Sequence, residues 1–143
     1  MPETTVAAII TRAEAGETQI LLTRRNVEPF RGQWCLPGGH IDPYEAALSA
    51  VIREAREETG LEFEARFWSY FDEIIPVHGI HAVVLAFVGP AVGVEIAQPY
   101  EVSEMRWFSL SEARALSLAF LHNEILDAYV AWDVGSDRVE RGA

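Results

Sequence analysis

Apolar and polar positions divide the chain into short segments of two periods. Thr4–Thr11 reads TTVAAIIT, a nearly continuous β-branched and apolar run. Such a run predicts a strand. Gly16 lies in the polar stretch Ala13–Glu17, which predicts a hairpin turn, and Thr18–Arg25 is the returning strand. Asn26–Gly32 is a loop by its Pro29 and Gly32, and the short apolar segment Trp34–Leu36 is stopped by Pro37-Gly38-Gly39. Asp42 predicts a helix N-cap, with Pro43 at the first helical position and Glu45 completing a capping box. The helix is expected to run to about Thr59, with Gly60 as its left-handed terminator. Phe63–Ile75 is expected to be one long or bent strand ended by Pro76, and His81–Val88 a strongly apolar strand. A short strand is expected at Val94–Ala97 inside a turn-rich stretch, another strand at Met105–Phe108, and a short helix at Ser111–Ser117. A helical stripe of Leu118, Leu121, Ile125, Ala128 and Tyr129 predicts a last helix over Leu118–Trp132. The polar tail 135–143 is expected to fray. The pattern is that of one α+β domain over residues 1–143.

On a wheel of about 100° per residue, Leu48, Val51, Ile52 and Ala55 share one arc of the Glu45–Glu58 helix, the expected core face. Glu54, Glu57 and Glu58 share the adjacent arc, with Arg53 beside them and small Ala47 and Ala50 leaving room. A solvated face is the ordinary reading of such acids. Yet Glu57 and Glu58 fall in the last turn, where the helix dipole disfavours anions. Oxygen-only ligands that converge suit Mg²⁺ or Mn²⁺, so a metal site stands beside the solvated face as an alternative.

Composition sharpens this. Twenty-two acidic residues against eleven basic ones give a net charge of −11, and every basic residue is Arg. Nucleic-acid binding rests on cations that neutralise phosphates, so no nucleic-acid partner is expected. The single Cys35 excludes an internal disulfide, and no apolar stretch approaches the ~20 residues of a spanning helix. The N-terminus has no signal-peptide pattern, so the expectation is a cytoplasmic protein without a membrane partner. No Ser stands in a nucleophile-elbow pattern, and Cys35 has no adjacent His, so no covalent intermediate is expected.

The segment Gly39–Leu61, GHIDPYEAALSAVIREAREETGL, resembles the Nudix box, G-x5-E-x7-R-E-U-x-E-E-x-G-U, where U is apolar. Gly39, Glu45, Arg53, Glu54, Glu57, Glu58 and Gly60 meet its fixed positions, and Ala55 and Leu61 its apolar ones. The flanks Leu36-Pro37-Gly38 and Met105-Arg106-Trp107-Phe108 agree. The resemblance implies an α/β/α sandwich, a mixed sheet between the box helix and a C-terminal helix. It implies Mg²⁺-dependent hydrolysis, Mn²⁺ substituting, of a diphosphate linking a nucleoside to another group, by an activated water attacking phosphorus. By position it makes Glu54, Glu57 and Glu58 metal-binding and catalytic carboxylates. The Gly38 carbonyl becomes a further ligand, Arg53 the residue that orients the glutamates, and Glu45 a support. The general base stays open among Glu54, Glu58 and a carboxylate outside the box. Glu101, six residues before Trp107, resembles an extra metal ligand, with Glu104 as its competitor.

The resemblance implies that a strand-end Arg here can contact substrate phosphate; Arg24 and Arg25 point to opposite faces, so at most one faces the site, with Arg24 favoured and a plain surface salt bridge as the alternative. Trp34, Phe30 and Trp68 are candidates for stacking a base, Trp34 foremost, although aromatics at strand positions are more often core. His78 and His81 lack the further ligands of a zinc site. The loop Arg24–Trp34 resembles that of ADP-ribose pyrophosphatases of this family, so an ADP-ribose or nucleoside-diphosphate-sugar substrate is favoured. A nucleotide-sanitising (d)NTP hydrolase and a non-catalytic nucleotide sensor are the alternatives. Such sensors usually carry a DNA-binding module and a degraded box, whereas this box is intact. A homodimer is a further expectation from the family.

Overall fold

The computed structural model describes residues 1–96 and 101–140. Strand β1 (Glu3–Glu14) turns at Ala15-Gly16, both with positive φ, into β2 (Glu17–Arg25). Short β3 (Trp34–Cys35) and β4 (Gly38–His40) precede helix α1 (Ala47–Thr59). There follow β5 (Glu62–Phe63), β6 (Arg66–Ile75), a 3-10 turn (Pro76–His78), β7 (Ile80–Gly89) and β8 (Ala91–Val92). The chain ends with β9 (Val102–Ser109), α2 (Leu110–Ala115) and α3 (His122–Glu140).

The main sheet runs in the order β3-β2-β1-β7-β6, with β4 added to β1 and β9 to β2. The β1–β7 pair is parallel and the other pairs are antiparallel, so the sheet is mixed as expected. The apolar run of β1 is divided between two cores. Val6, Ala8 and Ile10 pack with Ala50, Val51 and Ala55 of α1. Ala7 and Ile9 pack with Ile125, Leu126 and Tyr129 of α3. One strand buried on both faces makes the molecule an α/β/α sandwich.

Several boundaries differ from the sequence reading. Asp42 does not cap α1; the cap position is Ala46, with no side-chain hydrogen bond. Instead, Asp42 and Glu45 close a turn, Glu45 N–H to Asp42 C=O at 3.0 Å and Asp42 N–H to Glu45 Oε1 at 3.0 Å. The capping signal is real, but the turn uses it, with Tyr44 at φ 64°. Leu48 is exposed, not core. Phe63–Ile75 is two strands, because β5 pairs with β8 while β6 pairs with β7. Val94–Ile96 forms no strand, and Ala97 lies outside the described residues. Helix α3 starts at His122 rather than Leu118, since the Asn123 side chain ties the N–H of Leu118 and the C=O of Leu116 into the preceding turn. It continues to Glu140, past the point where the polar tail was expected to begin fraying. The left-handed terminator is as expected, Gly60 at φ 79° donating to Arg56 C=O at 2.9 Å.

Candidate active site

The pairing of β4 with β1 sets the glycines of the box against α1. A Cβ on Gly39 would lie 2.6–2.8 Å from the carboxylate atoms of Glu54. A Cβ on Gly38 would lie 2.1 Å from the Val6 carbonyl oxygen. Gly38 thus admits neighbouring backbone, while Gly39 makes room for a site carboxylate. Gly38→Ala is expected to cost roughly 1–3 kcal/mol in a denaturant melt, as overpacking does. Gly39→Ala should leave the melt nearly unchanged and lower turnover about 10²-fold, the scale of a misplaced catalytic group. Equal effects in both assays for the two variants would show that Gly39 has no special relation to Glu54.

Glu54 and Glu58 face inward from the last turns of α1, the two box acids nearest the apolar arc, and are 9% and 8% exposed. Glu58 Oε2 accepts the Gly38 N–H at 2.7 Å. Burial pushes the Glu54 carboxyl up to about 7, against the opposing pull of Arg53, with Glu57 and Glu101 adding repulsion. Burial, then the charge of Glu54, pushes Glu58 well above the usual carboxylate range.

Arg53 is the hinge of the acidic face. It donates to Glu45 at 2.8 and 3.0 Å, to Glu54 at 3.0 Å, to Glu57 at 3.2 Å and to the His40 C=O at 3.1 Å. It holds the Glu45 carboxyl below the usual range.

Three carboxylates converge: Glu54, Glu58 and Glu101 each place an oxygen within 4.8 Å of the others. Glu57 is not in this group; its side chain is 57% exposed and paired with Arg53. Glu101 lies in the turn just before β9, where the ladder with β2 slips between Arg24 and Arg25. Strand alternation decides a second question, since Thr23 and Arg25, two apart on β2, both line the cavity. Arg24 faces Glu104 at 3.4 Å and donates to the Gly32 C=O at 2.9 Å, so it is not at the site as expected. Its neighbour Arg25 lines the cavity, donates to the Pro29 C=O at 2.7 Å and lies 4.8 Å from the Phe120 ring centroid. Glu104 is held by Arg24 and by Arg106 at 2.9 Å. Trp34 is also off the cavity, packed edge-on against Phe108 at 5.1 Å with Arg106 over its ring at 5.3 Å.

The cavity has a volume of about 430 Å³. Glu54, Glu58, Glu101, Gly38 and Arg25 are among its polar lining; Ile80, Ala82, Val84 and Phe120 supply apolar lining. His122 is buried with Nδ1 accepting the Leu36 N–H at 3.0 Å. Burial, aided by Arg25, lowers it to about 3, so it is neutral. Cys35 is buried, and burial pushes its thiol up to about 11, which fits an inert packing residue. Sequence reasoning missed His122 and Glu73, both cavity residues; neither belongs to a local motif.

An oxygen-only cluster, with two members buried and repelling each other, fits a hard divalent cation rather than a thiophilic one.

A NUDIX domain model matches residues 1–129. An ADP-ribose pyrophosphatase of Methanocaldococcus jannaschii is 31% identical over 121 residues, covering 83% of this chain and 70% of that one. The chain belongs to the Nudix hydrolase family. Its members act on pyrophosphate bonds. The crystal structure of a MutT NUDIX hydrolase from Burkholderia pseudomallei has a TM-score of 0.79 and 30% identity, covering 89% of this chain and 97% of that one. The ADPR responsive transcriptional repressor NtrR of Acinetobacter baylyi is 27% identical over 134 residues, and this chain spans 52% of its length. Among the described residues, no helix of this Nudix protein is long and apolar enough to cross a membrane.

Proposed function

We propose that this Nudix protein is a cytoplasmic, Mg²⁺-dependent pyrophosphohydrolase. Its substrate would be a nucleoside diphosphate linked to a second moiety, of the ADP-ribose or nucleotide-sugar type. The observation that carries the reading is the convergence of Glu54, Glu58 and Glu101 on the wall of a cavity of about 430 Å³. Those three carboxylates would hold the cation, Mn²⁺ serving in place of Mg²⁺, with the Gly38 carbonyl as a candidate further ligand. When bound, the cation supplies charge neutralisation of the diphosphate and activation of water.

The chain's own residues do the rest. Arg53 fixes the orientation of Glu54 and keeps Glu57 at the rim. Arg25 offers a guanidinium to phosphate oxygens. Water attacks phosphorus, its proton passes to a carboxylate of the cluster, and the phosphoanhydride bond breaks with the second phosphate as leaving group. For ADP-ribose the products are AMP and ribose 5-phosphate, with no inorganic phosphate. The M. jannaschii relative supports this substrate class.

A screen over ADP-ribose, nucleotide sugars, dinucleoside polyphosphates and (d)NTPs with Mg²⁺ tests the reading. Preferred release of NMP and pyrophosphate from a (d)NTP would instead make it a sanitising enzyme. Likeness to the repressor favours a second reading, a ligand sensor; tight ADP-ribose binding without turnover in Mg²⁺ would select it.

Glu101→Gln should lower turnover or raise the Mg²⁺ requirement by at least about tenfold, since it removes one of three converging oxygens. Glu104→Gln, which breaks only exposed ion pairs, should stay within about twofold. A Mg²⁺ titration of both variants reads the difference, and matching curves would confine the chemistry to the box.

A further inference from the structure

Glu73 lies on β6, opposite Ala82 of β7, and is 5% exposed. One carboxylate oxygen accepts the backbone N–H of Leu121, at the threshold of α3. The other, Oε2, is buried and has no hydrogen-bond partner among the described residues. Buried carboxylate oxygens are seldom left this way, because desolvation is not offset. Anchoring α3 accounts for one oxygen only.

Glu73 lines the same cavity as Glu54 and Glu58 but is outside the carboxylate cluster. Ile80, Ala82, Val84 and the Phe120 ring give that cavity apolar walls. A volume of about 430 Å³ falls within the roughly 300–1,000 Å³ range of small-molecule pockets. An unpartnered acceptor among apolar walls calls for a flat, apolar group with an N–H on its edge. A diphosphate offers no such donor, and its charge would be repelled. A ribose offers hydroxyls but little apolar surface.

We propose that Glu73 is a specificity-determining residue, whose Oε2 accepts a hydrogen bond from the exocyclic amino group of the substrate's nucleobase. This rests on the pyrophosphohydrolase reading and extends it to the base: the preferred substrates carry a 6-amino purine. Replacing that amino group by a keto oxygen, as in hypoxanthine, sets an acceptor against an acceptor. Sites built to bond a donor reject analogues that lack it by large factors.

The experiment compares ADP-ribose with inosine diphosphate ribose as substrates, and AMP with IMP as calorimetric ligands, all with Mg²⁺. Wild type and Glu73→Gln are assayed; Gln keeps an oxygen for the Leu121 N–H and turns its amide N–H₂ toward the cavity. Wild type should favour adenine over hypoxanthine at least about tenfold in KM and in Kd. In Glu73→Gln the adenine KM should rise at least about tenfold with kcat within about threefold, and the preference should collapse or invert. A structural role alone would not separate the two bases. Turnover by a wild type that does not distinguish the bases, or a variant that shifts both equally, overturns the inference and leaves the enzymatic reading intact. Absent turnover with an AMP preference that Glu73→Gln abolishes overturns the enzymatic reading and supports the inference. Neither binding nor turnover of any of the four overturns both.

Discussion

Replacing Glu58 by Gln will lower turnover by about 10²–10⁴-fold, the scale of losing a positioned catalytic group, or about 3–5 kcal/mol of activation free energy. Gln is nearly isosteric and can still accept the Gly38 N–H that Glu58 takes at 2.7 Å, so the helix and β4 should stay in register. What is lost is the negative charge in a cluster of three. Glu54→Gln should fall in the same range for the same reason. Both variants should unfold at equal or higher temperature than wild type when cation-free, because each relieves a buried carboxylate of repulsion from its neighbour. Glu57→Gln is the informative third. The resemblance makes it a ligand, whereas the fold leaves it exposed and outside the converging oxygens. A loss for Glu57→Gln as large as that for Glu58→Gln would mean that the cation draws Glu57 in from the rim. Near-wild-type turnover for Glu58→Gln and Glu54→Gln together would reduce the cluster to a surface feature.

Removing divalent cations will abolish turnover, and the same carboxylates will make the cation's effect on stability depend on pH. In the cation-free fold Glu54 holds its proton up to about 7, whereas the free side chain loses it near 4.5. Below about 4.5 both states are protonated and nothing is gained or lost. Between the two values the native state binds the extra proton, so stability falls as pH rises, and above about 7 the full cost is present. Glu58, shifted in the same direction, extends the fall upward. A cation at 100 times its Kd adds about 2.7 kcal/mol, roughly 5–10 °C for a chain of this size, and competes with those protons. Melts in EDTA should therefore drop in temperature from pH 5 to pH 8, and the increment from Mg²⁺ should be larger at pH 8. A flat EDTA profile with an equal Mg²⁺ increment at both pH values would place the cation elsewhere. Full turnover in excess EDTA would end the metal-dependent reading.

The parts of this molecule that were legible in its sequence are those whose cause is local. Continuous apolar runs marked β1 and β7, since a strand covered on both faces has no polar phase to show. Gly60 marked the end of α1, because the left-handed turn there is a property of one residue. The seven fixed residues of the box marked the acidic face. What was misread depends on partners far along the chain. Asp42 and Glu45 carry a helix-cap signal, yet Arg53 and the turn claim them. Whether Arg24 or Arg25 meets the cavity depends on which face of β2 the cavity lies against, and that is the face of Thr23, two residues before Arg25. Trp34 reads as core more readily than as a stacking platform, and only Phe108 beside it makes the choice. Glu73 is an acid in an aromatic strand until Leu121 binds one of its oxygens and leaves the other without a partner among the described residues.

The β1–β2 hairpin has a practical use. Thr5 borders the cavity, while the Ala15-Gly16 turn closes the same strand ten residues on, about 30 Å away at strand rise. The turn is exposed, and a Cβ on Gly16 would meet nothing within 4 Å. A dye, an affinity handle or an inserted peptide could be carried on that tip. Surface immobilisation through it would leave the mouth of the cavity open to solution, so nucleotide capture could be followed on a sensor chip with the protein held by its opposite end.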